Sequence, residues 1–333
     1  MTDPGQAHED RAHEDRAQAV VAFGGGHGLH ASLSALRLLV DDLTVDELTA
    51  IVTVADNGGS SGRLRQQFNV LPPGDLRMAL AALCGDDRWG ETWAKVLQHR
   101  FGGEGDMRGH NLGNLLIVGL WELLGDHVEA LDWVCRLLGA KGRVLPMALE
   151  PMEITADVRG LAPGAPDQLT AVRGQVEVAT TDGIIDSIDL IPKDPPAPPA
   201  ALEAIANADW VFIGPGSWFT SVIPHLLVPA LRGALTATAA RLVVVLNLAE
   251  QAGETPGFGP ADHLAVFAEH ARDLKVDVVL ADQSMEGLAE LADLAAACGA
   301  AVVVDDLAVG DGTPRHDAVK LAAAYARIMS GGL

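Results

Sequence analysis

The residues best placed to do chemistry lie in the phrase Asp56-Asn57-Gly58-Gly59-Ser60-Ser61-Gly62-Arg63-Leu64-Arg65. It follows the apolar run Ala50–Val54, which reads as a buried strand. Backbone N–H groups, two hydroxyls and two fixed positive charges at the end of a strand describe a phosphate cradle. Asp56 in that position could hold a ribose or a divalent cation. A related loop lies upstream, Gly24-Gly25-Gly26-His27-Gly28-Leu29-His30-Ala31, and it contains the dinucleotide-type spacing Gly26-x-Gly28-x-x-Ala31. No Gly-Lys-Ser/Thr follows, so it is not a Walker loop. A third, Gly214-Pro215-Gly216-Ser217 with Thr220 and Ser221 behind it, repeats the order strand, glycine turn, hydroxyls, helix.

Further candidates flank these loops. Asp75 follows Pro72-Pro73-Gly74 and reads as a helix N-cap, a metal ligand or a holder of Arg77. His110, Asn111 and Asn114 open the most apolar helix of the chain, where buried N–H groups need partners. Asn111 reads as its cap, His110 as a contact or acid/base group. Asn247 ends a later strand, with Gly253-Glu254-Thr255 behind it. Asp56, Asp75 and His110 are thus the candidates for catalysis, and Asp56 and Asp75 for Mg²⁺. The sequence offers no Ser-His-Asp order and no His/Cys metal spacing.

Elements must position these groups. Apolar periodicity predicts strands at Ala19–Phe23, Ala50–Val54, Trp210–Ile213, Leu242–Leu246, Val276–Leu280 and Ala301–Val304. Helices are expected over Leu29–Val40, Leu76–Cys84, Glu91–Arg100, Leu112–Leu124, Val128–Leu138, Ala261–Leu274, Met285–Ala297 and Asp317–Met329, with another reaching about Leu231 and broken at Pro224. Strand and helix alternate over short links, which implies an α/β fold: a Rossmann-type, mostly parallel sheet with helices on both faces. In such sheets ligands bind beyond the carboxyl ends of the strands, where each glycine loop stands. From about 143 to 194 the texture changes to short β-like runs, including Glu153–Val158 and Gln175–Val178, with Asp182-Gly183 as a turn. This is a small β excursion within one domain spanning about 19–330. Residues 1–18, with a tandem His-Glu-Asp-Arg-Ala repeat, read as a disordered tail.

The 333 residues carry a net charge of -22 and a 49% hydrophobic share, so a large aliphatic core is available. So acidic a chain is not expected to bind nucleic acid or an anionic membrane surface, and arginines beside glycine loops gain weight. No stretch of about 20 residues is apolar enough to span a bilayer. Cys84, Cys135 and Cys298 lie far apart and read as buried thiols in a reducing compartment, and no apolar signal-type segment opens the chain. The expectation is a cytoplasmic protein.

Together these phrases, with Pro73-Gly74-Asp75-Leu76-Arg77 and Gly109-His110-Asn111-Leu112-Gly113-Asn114, resemble the YvcK-type gluconeogenesis factors of the CofD-like superfamily, named for 2-phospho-L-lactate transferase. The resemblance runs over about residues 19–325. It implies a CofD-like α/β fold, a homodimer, a UDP-sugar ligand (typically UDP-N-acetylglucosamine) or another phosphate-containing small molecule, and a role in cell shape and wall supply. It names no downstream protein partner. It also brings in Phe258 as a stacking face for a base and Arg315 as a diphosphate partner. Where the family commonly has Thr or Ser, His27 stands here, and Asn57 replaces a second Asp. That lost carboxylate favours binding and sensing over Mg²⁺-assisted transfer. The transferase remains the alternative reading, and an NAD-dependent oxidoreductase, resting on Gly26-x-Gly28-x-x-Ala31 and Asp56, is a weaker one.

Overall fold

The computed structural model describes residues 18–251 and 253–331. Seven parallel strands form the main sheet in the order β10-β9-β8-β7-β1-β2-β3. They are β1 (Gln18–Gly24), β2 (Val45–Val52), β3 (Arg143–Pro146), β7 (Trp210–Ile213), β8 (Arg241–Val245), β9 (Val278–Asp282) and β10 (Ala301–Asp305). Every residue of β7 and β9 is buried, and successive side chains point to opposite faces, so both faces are covered. Helix α1 (Gly26–Asp41) places Leu29, Leu33 and Leu36 in the core. The last helix, Ala318–Met329, buries Tyr325 between α1 and β7: its ring centroid lies 4.3 Å from that of Phe212, and its hydroxyl bonds Ser32 Oγ at 2.9 Å.

The chain builds β1, β2 and β3 outwards in one direction, then returns to lay β7 on the other side of β1 and continues to β10. The order therefore reverses between β1 and β7. Connections diverge there, which opens a crevice beyond the carboxyl ends of those two strands.

Several elements differ from the sequence expectation. Val45–Leu48 joins β2, although Asp46 and Glu47 mask it as a polar turn; both are exposed. Gly59–Phe68 is a helix, α2, not a loop, so Arg63 and Arg65 project from a helix. Gly62 permits this, since a Cβ there would lie 2.0 Å from Asn57 O. Helix α3 (Gly74–Ala82) is capped by Pro73, which puts Asp75 in its first turn rather than at the cap. The helix expected to reach about Leu231 with a break at Pro224 is three pieces: a π-helical turn, Trp218–Val222, then Ile223–Leu227 and Pro229–Ala237, each α piece carrying a proline in its first turn.

The β excursion is a separate antiparallel sheet, β5-β4-β6, of β4 (Glu153–Arg159), β5 (Leu169–Arg173) and β6 (Ile184–Ile191). Arg143–Pro146 is not part of it but the edge of the main sheet, pairing with β2. Gln175–Ala179, read as strand-like, is a short helix. Of the three cysteines expected to be buried, Cys84 is, Cys135 is half-buried, and Cys298, just past the end of the helix Leu288–Ala297, is exposed. Of the segment 1–18, Gln18 opens β1; the rest lies outside the described residues.

Candidate functional site

At the reversal point β1 ends in Gly24-Gly25-Gly26 and α1 begins. Gly24 (φ +155) and Gly26 (φ +57) take conformations other residues avoid. Gly25 is the N-cap and supplies no side-chain cap. Its bareness is required, because a Cβ would lie 2.4 Å from Thr53 Cγ2 and 2.6 Å from Asp75 Oδ2. Gly28 touches the opposite wall: a Cβ there would lie 2.2 Å from Pro215 O. Two strand ends are thus drawn together, and a cleft of about 680 Å³ opens above them. Gly25, Gly26, His27, Gly28 and Asp75 line it on the β1 side. Pro215, Gly216, Ser217, Ser221, Asn247 and Arg315 line it on the other.

Asp75 is the most perturbed group of the cleft. Burial, and then the neighbouring charge of Asp56, push its carboxyl up to about 7, against a bond from Gly26 N–H and the charge of Arg77. The two carboxyls converge through α3's first residue: a Cβ on Gly74 would lie 2.8 Å from Asp56 Oδ2 and 2.3 Å from Ser61 Oγ. Asp56 Oδ1 also accepts from Gly58 N at 2.8 Å. Asn57 turns the other way. Its amide donates to Glu177 Oε2 at 2.8 Å and accepts from Val176 N at 3.0 Å, fastening the β excursion to the site. Among the described residues no group of three or more His, Cys, Asp or Glu side chains could hold a metal.

The β7 loop has a different character from its neighbour. Its amides are already taken by the chain itself. Glu254, 3% exposed, accepts from Phe219 N at 2.8 Å, Thr220 N at 3.3 Å and Thr220 Oγ1 at 2.6 Å. Burial raises its carboxyl, against those bonds. Gln251 Oε1 accepts from Trp218 N at 3.2 Å. Asn247 clamps Gly216, accepting from its N–H at 2.9 Å and donating to its carbonyl at 2.8 Å. Gly214 (φ +82) makes the turn beneath, within 2.8 Å of Val245 O for a notional Cβ. This loop is a braced wall that presents Ser217, and the free helix start belongs to α1.

The remaining sequence candidates stand elsewhere. Ser60 Oγ gathers His110 Nδ1 (3.1 Å), Asn111 N (3.3 Å) and Asn114 Nδ2 (3.0 Å). Arg77, buried, donates to Asn114 Oδ1 at 2.9 Å and to Gln98 Oε1. Asn111 does cap its helix, Leu112–Leu124, by position, but its side chain donates to Gln98 O at 3.2 Å. None of these residues lines the cleft. Arg65 reaches towards Glu153 of the excursion at 3.8 Å. Phe258 packs edge-on to Phe219 and His263, away from the cleft lining. Arg315 does line it, paired with Asp311 at 2.6 Å.

The cleft also takes residues that sequence reasoning passed over: His30, Ser34, Gln175, Glu250 and His316. His30 and Ser34 sit one and two turns into α1 on the face that Gly26 and His27 open, a signal that helical spacing contained. Burial lowers the His30 ring, and it pushes His316 down to about 4, so both are neutral near pH 7. Gln175 arrives with the excursion's helix, and nothing local in the sequence pointed to it.

Comparison with known proteins bears on this geometry. The family model described as "2-phospho-L-lactate transferase CofD" matches residues 20–316. A Mycobacterium tuberculosis protein named "Putative gluconeogenesis factor" is 52% identical over 91% of this chain and 88% of its own. A Listeria monocytogenes "Gluconeogenesis factor" is 34% identical over 91% of this chain and 93% of its own. A crystal structure of a UPF0052 family member from Bacillus halodurans superposes with a TM-score of 0.80 at 33% identity, covering 93% of this chain and 98% of that one. A match of this extent shows that the chain belongs to the CofD family, within its gluconeogenesis-factor branch.

Proposed function

We propose that the protein binds a UDP-sugar, with UDP-N-acetylglucosamine the first candidate, in the cleft between the β1 and β7 loops, and that it senses this wall precursor to adjust carbon flux and cell shape. The observation that carries the reading is the start of α1. A sixteen-residue helix begins with glycines and no side-chain cap, at the reversal point of a parallel sheet, facing a cleft of about 680 Å³. Its N–H groups and dipole favour a diphosphate. Arg315 across the cleft would exchange Asp311 for that diphosphate. The names of the relatives support the metabolic setting. Titration calorimetry with UDP-N-acetylglucosamine tests the proposal; no heat and no thermal shift at millimolar ligand would sink it.

The convergence of Asp56 and Asp75 favours a second reading, a Mg²⁺-dependent transferase of phosphate-activated small molecules. Mg²⁺ is commonly held by one or two carboxylates, with waters and substrate phosphates completing its shell. Asp56 and Asp75, with Ser61 beside them, fit that demand. Once bound, the ion would neutralise phosphate charge. Asp75 would orient that edge of the substrate, and α1 would hold the rest. Incubation with the deazaflavin Fo and activated phospholactate decides it: no product where a known transferase turns over refutes this activity.

A further inference from the structure

Although the chain has 45 Asp and Glu against 23 Lys and Arg, several of its described arginines have no carboxylate partner. Arg63, Arg77 and Arg100 are three such residues, and they stand together. Among the described residues none of them has a carboxylate oxygen within 4.0 Å. Arg63 Nη2 donates to Arg108 O at 2.9 Å, and Arg100 Nη1 to the next carbonyl, Gly109 O, at 2.6 Å. Two guanidiniums therefore meet on adjacent peptide units. Arg77 lies behind them on neutral amides. The like charge of Arg100 acts on it more strongly than either Asp75 or Asp56. His110 feels both Arg63 and Arg100.

Like charges brought this close repel, and neutral carbonyls compensate them only in part. A bound anion would remove the repulsion. Space for one exists beside Arg63: an open cavity of about 450 Å³ is lined by Arg63, Gln66, Gln67, Asp106 and His110, while Arg100 stands outside that lining on Gly109 O. Asp106 contributes a carboxylate to its rim, yet Arg63 meets Asp106 only through the backbone carbonyl, at 3.4 Å. The cavity shares no lining residue with the glycine cleft.

We propose that Arg63 and His110, with Arg100 and Arg77 adding positive charge from behind the cavity lining, form a second anion-binding site that takes a phosphate- or diphosphate-bearing small molecule, separate from the ligand of the glycine cleft. Two sites would let the protein read two metabolites, or hold a second phosphorylated molecule while the cleft is full. The inference does not rest on the UDP-sugar reading.

Inorganic pyrophosphate is the probe, titrated calorimetrically into the full chain with and without saturating UDP-N-acetylglucosamine. Pyrophosphate is expected to bind in both conditions. The double variant Arg63→Gln/Arg100→Gln is expected to weaken the binding seen with nucleotide present at least tenfold, with the affinity for UDP-N-acetylglucosamine unchanged. Both side chains are exposed, so the fold should persist; circular dichroism checks this, and Arg63→Gln alone serves if the double variant misfolds. If UDP-N-acetylglucosamine gives no heat while pyrophosphate still binds through Arg63, the nucleotide reading fails and the second site stands. Pyrophosphate binding that is absent, insensitive to the arginine variants, or abolished by the nucleotide overturns the second site.

Discussion

Replacing Asp75 by asparagine should stabilise the protein, and by an amount that depends on pH. The carboxyl titrates at about 7 in the folded chain against an ordinary 3.8. Below 3.8 it is neutral in both states and costs nothing. Between 3.8 and about 7 the unfolded chain ionises while the folded chain keeps its proton, so stability falls as pH rises. Above that range the full cost is present. Each pH unit of this gap is worth about 1.4 kcal/mol, which bounds the cost at about 4 kcal/mol. Contact with cleft water reduces it to about 2–3 kcal/mol. The asparagine oxygen can still accept from Gly26 N–H, so the bond to α1 survives. Urea unfolding in chelator-containing buffer should therefore show the Asp75→Asn variant more stable than wild type by about 2–3 kcal/mol near pH 8, and by well under about 1 kcal/mol near pH 4. Asp56→Asn removes the second-largest cause of the shift and should flatten the wild-type pH dependence in the same assay. A gain that is equal at all pH values, or a loss near pH 8, would refute the view that an ionised Asp75 is held in the folded state at a cost.

Three other perturbations follow from the bracing of the loops. Gly28→Ala places a methyl against Pro215 O and the Gly216 Cα; it should cost about 1–3 kcal/mol in denaturant midpoints and weaken UDP-N-acetylglucosamine binding in the same variant. Glu254→Ala strands two buried amides and the Thr220 hydroxyl, so thermal unfolding should report a loss of about 2–4 kcal/mol, with no change at the arginine cluster. Asn57→Ala cuts two bonds to the helix Gln175–Ala179, both in exposed surroundings; it should cost under about 1 kcal/mol globally but raise amide exchange across residues 169–183.

What the sequence made legible was whatever local periodicity controls. Strands such as β7 and β9 are apolar runs buried on both faces, and they were readable for that reason. So was the site's general position, because glycine triplets at strand ends such as Gly24–Gly26 leave little else for the chain to do. Two kinds of feature were not readable. Helix α2 hid inside a run of glycine and serine with low helix propensity; tertiary packing of Ser60, Ser61 and Gly62 overrides that preference. The partition of the polar residues depended on contacts far apart in the chain. Asn57 meets a residue 120 positions away, and Glu254 caps amides 34 and 35 positions before it. No spacing rule announces such pairs.

That partition changes what the glycine loops mean. Three loops of similar composition suggested three equivalent phosphate cradles around one ligand. Their amides separate them. At the Gly214 loop the chain supplies its own acceptor, the buried carboxyl of Glu254, so a ligand phosphate there would have to displace a group that holds the wall in place. At α1 the acidic partner found among the described residues is Asp75, which accepts from Gly26 N–H and is itself ionised at a cost near neutral pH. A ligand anion arriving at α1 thus competes with a weak internal occupant, and one that protonation removes. For the proposed ligand this bracing favours α1 over the Gly214 loop as the side that meets its phosphates, and its affinity is expected to fall as pH rises through about 7, where Asp75 gains its charge. Titration of UDP-N-acetylglucosamine on either side of that pH tests the reasoning: affinity that is flat in the Asp75→Asn variant and declining in wild type is the expected pair of results, and equal slopes in both would remove Asp75 from the account of binding.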